Sequence, residues 1–287
     1  MLARPVLVDF HCHTDASDGS LAAADLLGAM RARGVSVCSI SDHDTVAAYD
    51  ALPPAAGSSS PRLISGVEIN ATYLGDEVHV LGYGFSLAPD SPLRATMAAN
   101  LRSRRARAER MVAQLRESGY ALDFEDVLRE ARGAVSLGRP HVAKALVRRG
   151  LVRDVERAFR TLLSRGAPGY VAADHIRPHE AIGAIAAAGG VAVLAHPGRL
   201  RDEGIIAELV EAGLDGLEVF YPAHGPGQTA HFRALAKRHG LVMSAGSDFH
   251  DVRWNVGGVG MEVEAGDLRP FLELLARRAA NAPAAAP

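Results

Sequence analysis

The chain is poor in cysteine, has no excess of either charge and contains no long apolar run. Its two cysteines among 287 residues, Cys12 and Cys38, fall in apolar, strand-like stretches. That setting favours buried reduced thiols, and a reducing compartment, over a disulfide. No apolar stretch reaches the ~18 residues of a membrane span, and the first residues lack a signal-peptide pattern. A cytoplasmic protein without membrane attachment is the expectation. Lysine and arginine number 31 against 33 aspartates and glutamates. This balance gives little support to a stable complex with long nucleic acid, which draws on many phosphate contacts. There is no internal repeat, and low complexity is confined to the Ala/Pro tail. Apolar residues, by contrast, make up 48% of the chain. At this length they can bury the core of one large α/β domain, or of one domain carrying an insertion.

Strand and helix patterns alternate through most of the chain. Residues 5–13 read as a strand with side chains on two alternating faces. Leu7, Asp9, His11 and His13 share one face; Val6, Val8, Phe10 and Cys12 share the other. Ser20 is placed to cap a helix over 21–33 that Gly34 stops. Strands follow at 35–41, 63–67 and 78–83. Ser91-Pro92 then opens a long helix ended by Gly119. Segments 123–132, 141–149 and 154–165 are also helical, with no strand among them. Alternation resumes with strands at 191–195, 216–220 and 241–245, each between helices, and a last helix covers 267–278. The pattern predicts an α/β framework of 1–95 and 168–280, a helical insert at 96–167 and a disordered tail at 281–287. Arginines 102, 104, 105, 107 and 110 crowd the insert's long helix. A solvated helix face explains them, and contact with a polyanion is the alternative.

Polar residues gather at one end of those strands: His11, His13, Asp18, His43, Glu68, His79, His196, Asp248 and His250. In α/β folds that end is where connecting loops converge and sites assemble. A single strand-end histidine is usually structural, but nine imidazoles and carboxylates at successive ends are harder to dismiss. Cysteine contributes nothing, so soft-metal and structural-zinc readings lose ground to manganese, iron(II) or zinc in a mixed nitrogen and oxygen set. At about four ligands per ion, the set serves two or three ions. Three divalent ions, less three carboxylates and a bridging hydroxide, leave about two positive charges, which matches a phosphate dianion. Such ions also bring the pKa of bound water down to about 7 to 9. Asp42 and Asp44 flank His43; each either holds an imidazole, acts as an acid or only caps the next helix. His175, His179, His224, His231 and His239 lie outside the pattern and read as surface or packing residues.

Asp9-Phe-His-Cys-His-Thr with Asp18-Gly-Ser, Ser41-Asp-His-Asp, Gly66-Val-Glu-Ile, Val78-His79, Ala195-His-Pro and Ser247-Asp-Phe-His250 resemble the ordered motifs of the polymerase and histidinol phosphatase (PHP) superfamily. The resemblance spans the whole framework outside the insert. It implies a distorted (β/α)7 barrel with a metal cluster at the C-terminal strand ends, in keeping with the seven strands above. It also implies three ion sites. One takes His11, His13, Glu68 and Asp248; a second shares Glu68 and adds His79 and His196; a third takes Asp18, His43 and His250. More finely, Leu137-Gly-Arg-Pro-His-Val-Ala and Ala195-His-Pro-Gly-Arg199 resemble the branch that removes the 3′-phosphate from nucleoside 3′,5′-bisphosphates. Related members are 5′-to-3′ exoribonucleases on short RNA. A bisphosphate needs a second anion site, and the planar donors of arginine suit it. Arg139 and Arg199 are the candidates, with His141 and Asn70 as further substrate-binding residues. The alternative for Arg139 is a helix-start residue paired with a carboxylate.

The expectation is therefore a phosphomonoesterase holding two or three divalent ions, manganese foremost, with iron or zinc also fitting. A bridging hydroxide would attack phosphorus in line, with Asp42, His43 and Asp44 counted as catalytic. The partner would be a nucleotide or a short oligonucleotide. The rivals are a phosphatase of a non-nucleotide metabolite such as histidinol phosphate, a polymerase-associated nuclease module and a non-catalytic binding module.

Overall fold

The computed structural model describes residues 5–52 and 61–281. Among the described residues eight strands make up one sheet: β1 (Pro5–Asp9), β2 (Val37–Ile40), β3 (Arg62–Tyr73), β4 (Asp76–Tyr83), β5 (Val191–Leu194), β6 (Gly216–Phe220), β7 (Val242–Ala245) and β8 (Met261–Glu264). Their spatial order is β7-β6-β5-β4-β3-β2-β1-β8. Neighbours β1, β2 and β3 run parallel, as do β5, β6 and β7. β4 is antiparallel to both of its neighbours, and β8 is antiparallel to β1. The ring closes beyond the strand ends. Phe10 N–H donates to Ala245 C=O at 2.9 Å, Asp248 N–H to His11 C=O at 2.7 Å, and His13 N–H to Phe249 C=O at 2.8 Å. The segment after β1 thus pairs with the segment after β7, which seals the barrel at the end where the functional residues gather.

The α/β barrel expected from the sequence is present, with three local differences. An eighth strand appears, of four residues with only Val263 buried, too short and polar to read as core. β1 stops at Asp9, because beyond it the chain leaves the sheet ladder to pair with the far side of the barrel. β3 extends to Tyr73 and returns directly as β4. The turn residues Leu74 and Gly75 have φ of 48° and 82°, the left-handed pair that matches the twist of a tight hairpin. This reversal brings His79, midway along its strand and opposite Asn70, to the same mouth as residues at the ends of the others.

Between β4 and β5 the described chain is helical: Pro92–Glu117, Phe124–Ala131, Arg139–Arg148 and Val155–Ala158, the last running into a π-helical turn, Phe159–Leu163. These helices bury a cluster of their own, including Met111, Leu115, Val127, Val142 and Leu162. The barrel core, with Phe10, Val67, Leu194 and Leu217, is a separate cluster. Gly34 and Gly119 end their helices at φ of 81° and 88°, a conformation that costs glycine little. Ser20 does not cap; helix Ala23–Arg33 follows Ala22, which offers no capping side chain. The last helix, Ala265–Asn281, takes in the first residue of the expected tail, and 282–287 lie outside the described residues.

Candidate active site

All nine strand-end residues meet at the barrel mouth. His11 Nε2 lies 3.3 Å from Glu68 Oε2 and 3.4 Å from Asp248 Oδ1; for His13 Nε2 both distances are 3.3 Å. Four ligand atoms at about 2.1 Å from one cation stand about 3.4 Å apart in a tetrahedron, so the spacing suits a shared ion. Glu68 Oε1 is 2.7 Å from His79 Nδ1 and 3.2 Å from His196 Nε2. Asp18 Oδ1 is 3.3 Å from His250 Nε2, and Oδ2 is 3.8 Å from His43 Nε2. The groupings overlap: His13 also stands with Asp18, His43 and His250, and His43 with Glu68 and His79. His11 Nε2, both nitrogens of His13, Asp18 Oδ1, His43 Nδ1 and Glu68 Oε2 are buried without a hydrogen-bond partner. Each such orphan costs about 1–3 kcal/mol, and bound cations would satisfy them together. The residues present fit a cluster of divalent ions.

The electrostatics are those of a tightly coupled group. Burial opposes the charge on Glu68, but His43, His11 and His79 outweigh it and hold the carboxyl well below its usual range. Imidazoles overcome burial in the same way at Asp18 and Asp248. Burial, reinforced by the Arg104 charge, outweighs Glu68 and Asp18 and brings the His43 pKa down to about 4, whereas at His250 the carboxylates of Asp18 and Asp248 overcome burial and raise the pKa to about 9.

The backbone beneath the cluster is strained. Among the described residues five non-glycines have positive φ, and three of them, Asp44, His196 and Asp248 at 54°, 29° and 50°, belong to the site or flank it. Strain of this kind persists where surrounding structure imposes it. Here Glu218 does so: Oε1 lies 2.8 Å from His11 Nδ1 and Oε2 accepts the His196 N–H at 2.7 Å. Tyr221 O–H donates to Asp248 Oδ2 at 2.8 Å. Asp9 accepts from Ser247 Oγ at 2.6 Å and from Gly260 N–H at 2.7 Å, so it supports the mouth from below. His224 takes the Gly198 N–H at 3.2 Å and thereby fixes the turn that carries Arg199. Among these, sequence reading singled out neither Glu218 nor Tyr221, and it placed His224 among surface or packing residues. A lone glutamate inside the apolar stretch Gly216–Phe220 was the available signal for Glu218.

The other predicted residues divide. Asn70, Arg139 and Arg199 line a cavity of about 240 Å³ together with Asp18, His43, Glu68, His79, His196, Asp248 and His250. Arg139 is bound to Glu77 at 2.5 Å, and Arg199 reaches Asp248 at 3.3 Å. Asp42 and Asp44 are not in the lining. Asp42 accepts from Thr14 N–H at 2.7 Å, Thr14 Oγ1 at 2.6 Å and Ser17 Oγ at 2.5 Å, holding the loop that bears Asp18. Asp44 accepts from Asn100 Nδ2 at 2.7 Å and Asn70 N–H at 3.1 Å. His141 is turned away; its Nδ1 accepts the Gly138 N–H at 3.0 Å at the start of its helix.

The solvated-face reading of the arginine run is corrected in part. Arg102, Arg105 and Arg110 are exposed, but Arg104 and Arg107, one helical turn apart, are buried and line the cavity. Arg104 donates to Asn70 Oδ1 at 2.6 Å and to Leu137 C=O at 2.8 Å. Arg107 donates to Glu77 and, at 2.9 Å, to Val171 C=O. Of the two readings open for His175, surface or packing, the structure takes packing: both ring nitrogens are buried without a partner, and burial lowers its pKa to about 3.

A barrel with imidazoles, carboxylates and arginines at one mouth defines the class of a metal-dependent hydrolase of phosphate esters. No protein-family profile matches the chain. It is 34% identical over 252 residues to a 3′,5′-nucleoside bisphosphate phosphatase of Chromobacterium violaceum, covering 85% of this chain and 87% of that protein. Identity is 32% over 263 residues to a phosphoribosyl 1,2-cyclic phosphate 1,2-diphosphodiesterase of Eggerthella lenta, covering 91% of this chain and 100% of that one. A 5′-3′ exoribonuclease of Haemophilus influenzae is 34% identical over 251 residues, 84% of this chain and 89% of the other. A solved structure described as a metal-dependent phosphoesterase from Bifidobacterium adolescentis superposes with a TM-score of 0.80 at 31% identity, covering 94% of this chain and 95% of that one. The chain belongs to the PHP superfamily of metal-dependent phosphoesterases, and it is a phosphoester hydrolase.

Proposed function

We propose that the chain removes the 3′-phosphate from nucleoside 3′,5′-bisphosphates. One juxtaposition carries this reading: Arg104, Arg107, Arg139 and Arg199 line the same cavity as the cluster of imidazoles and carboxylates. A substrate with two phosphates has one for each. The relative from Chromobacterium violaceum carries the name of this activity. In this reading 96–167 is an insert in a barrel of 1–95 and 168–280, and it brings Arg104, Arg107 and Arg139 to the barrel's ligands.

We assign His11, His13, Glu68 and Asp248 to one ion, Glu68, His79 and His196 to a second, and Asp18, His43 and His250 to a third. Bound there, divalent ions supply Lewis acidity toward phosphoryl oxygens and a nucleophile at neutral pH. Manganese is the ion we expect, and iron or zinc satisfies the same donors. The protein's own part is binding and orientation. Arg139 and Arg199 offer planar N–H donors to phosphate, while Asn70 and Asp44 hold Arg104 in place. Asp42 and Asp44 become positioning residues, since their carboxylates are engaged by neighbouring donors. His141 positions Arg139 by holding the preceding Gly138. Two buried free thiols suit a reducing cytoplasm. A 5′-to-3′ exoribonuclease activity on short RNA is the second reading, favoured by the Haemophilus influenzae relative.

Purified protein loaded with manganese should release inorganic phosphate from adenosine 3′,5′-bisphosphate and leave the 5′-monophosphate. His43→Ala should abolish release. Activity confined to histidinol phosphate, or none on any nucleotide, overturns the proposal.

A further inference from the structure

We propose that a second cavity, beside the cluster, seats the substrate's nucleobase and accepts any of the four bases. The inference rests on the nucleotide reading above and goes beyond it by placing the base. The cavity holds about 370 Å³, within the usual range for small-molecule pockets. It shares Phe159, Arg199, Asp248 and His250 with the cavity of the cluster, so one ligand spans both.

Its walls are aromatic in a chain that is only 5% aromatic and has one tryptophan. Phe159, Tyr221 and Trp254 all line it, with Val155 and Pro222. Phe159 opens the π-helical turn Phe159–Leu163, a rare geometry that recurs at functional sites. Trp254 is 41% exposed, so part of its ring is open to a ligand that enters the cavity. Cations stand over all three rings: Arg199 is 5.2 Å from the Tyr221 centroid, Lys144 5.4 Å from Trp254 and Arg139 5.9 Å from Phe159. Aromatic faces among basic groups are how proteins hold an unpaired nucleotide.

Apart from Arg199, which pairs with Asp248 and is assigned above to phosphate, the cavity's polar side chains have little with which to tell bases apart. Ser247 Oγ is committed to Asp9 at 2.6 Å, and Tyr221 O–H to Asp248 at 2.8 Å. Asn255 accepts the His250 N–H at 2.9 Å with Oδ1 and donates to Asp248 C=O at 3.1 Å with Nδ2. The indole N–H of Trp254 is a donor only, and every base presents an acceptor. Recognition therefore falls to stacking, which tolerates all four bases.

Because Trp254 is the sole tryptophan, its fluorescence reports on this cavity directly. The probes are the four nucleoside 5′-monophosphates and, lacking a base, ribose 5-phosphate. Each nucleotide should quench the emission, with dissociation constants within about fivefold of one another. Ribose 5-phosphate should leave the emission unchanged and bind about tenfold more weakly. By calorimetry, Phe159→Ala and the more exposed Trp254→Ala should each weaken nucleotides about tenfold and ribose 5-phosphate by less than about twofold. Equal quenching by ribose 5-phosphate, no binding of any nucleotide, equal losses for both ligands, or a preference above about thirtyfold for one base overturns the inference. Phosphate release from nucleoside bisphosphates without quenching removes this inference and leaves the proposed function standing. Quenching without release does the reverse.

Discussion

Glu218 grips His11 from behind: its Oε1 is 2.8 Å from His11 Nδ1, while its Oε2 fixes the backbone of His196. A proton held on Nδ1 by Glu218 leaves the Nε2 of His11 to face Glu68 and Asp248 as the ligand atom. Partners of this kind typically account for 10–100-fold in metal affinity. Glu218→Gln should therefore weaken manganese binding by about that factor while circular dichroism stays unchanged. An unaltered affinity in a metal titration would mean that the contact is only packing.

Close packing under the ligands gives a second prediction. A Cβ on Gly246 would lie 2.1 Å from the His11 Cβ and 2.7 Å from Glu218 Oε1, so backbone would have to move. Gly246→Ala should lose about 3 kcal/mol or more in denaturant unfolding and with it the bound metal. Gly28, inside helix Ala23–Arg33, has nothing within 4 Å of the added carbon. Gly28→Ala should stabilise by about 0.5–1 kcal/mol.

Much of this site is legible in the sequence, because carboxylates and imidazoles at strand ends stand out against apolar runs. His11, His13, His196 and His250 needed only the strand pattern. Arg104 and Arg107 could not be told from Arg105, since which helix face meets the barrel is a matter of tertiary packing. Glu218 sits inside a strand, where periodicity announces core rather than chemistry. The antiparallel turn of β4 also escapes a strand count, although Leu74-Gly75 marks it in retrospect.

Acid should destabilise the molecule in two steps. Burial lowers the His141 pKa to about 4 from its ordinary 6.5. Between those values the unfolded chain binds a proton that the folded chain refuses, so stability falls as pH drops from about 6.5 to 4. At Glu77 burial favours the neutral acid, but Arg139 and Arg107 prevail and hold the pKa at about 2 against 4.5. That contribution is complete above 4.5 and is lost as pH falls toward 2. His43 and His175, lowered to about 4 and about 3, contribute to the same first step, so His141→Asn should reduce that step of a stability-versus-pH curve without removing it and leave the second.

Glu77 also ties down two of the arginines assigned to substrate. Glu77→Gln should cost about 2 kcal/mol of stability, less than a fully buried pair because Glu77 is 21% exposed. It should at the same time tighten inorganic phosphate binding severalfold, as Arg107 and Arg139 lose a competing carboxylate. Weaker phosphate binding in a calorimetric titration would show that Glu77 holds the arginines in their working positions.

The most direct test of the whole account is a count of divalent ions per chain by elemental analysis, after loading with manganese and removal of excess. Two or three ions per chain are expected, falling by one in Asp18→Asn. A count of zero, or a single ion unaffected by that substitution, would contradict a shared multinuclear centre at the barrel mouth.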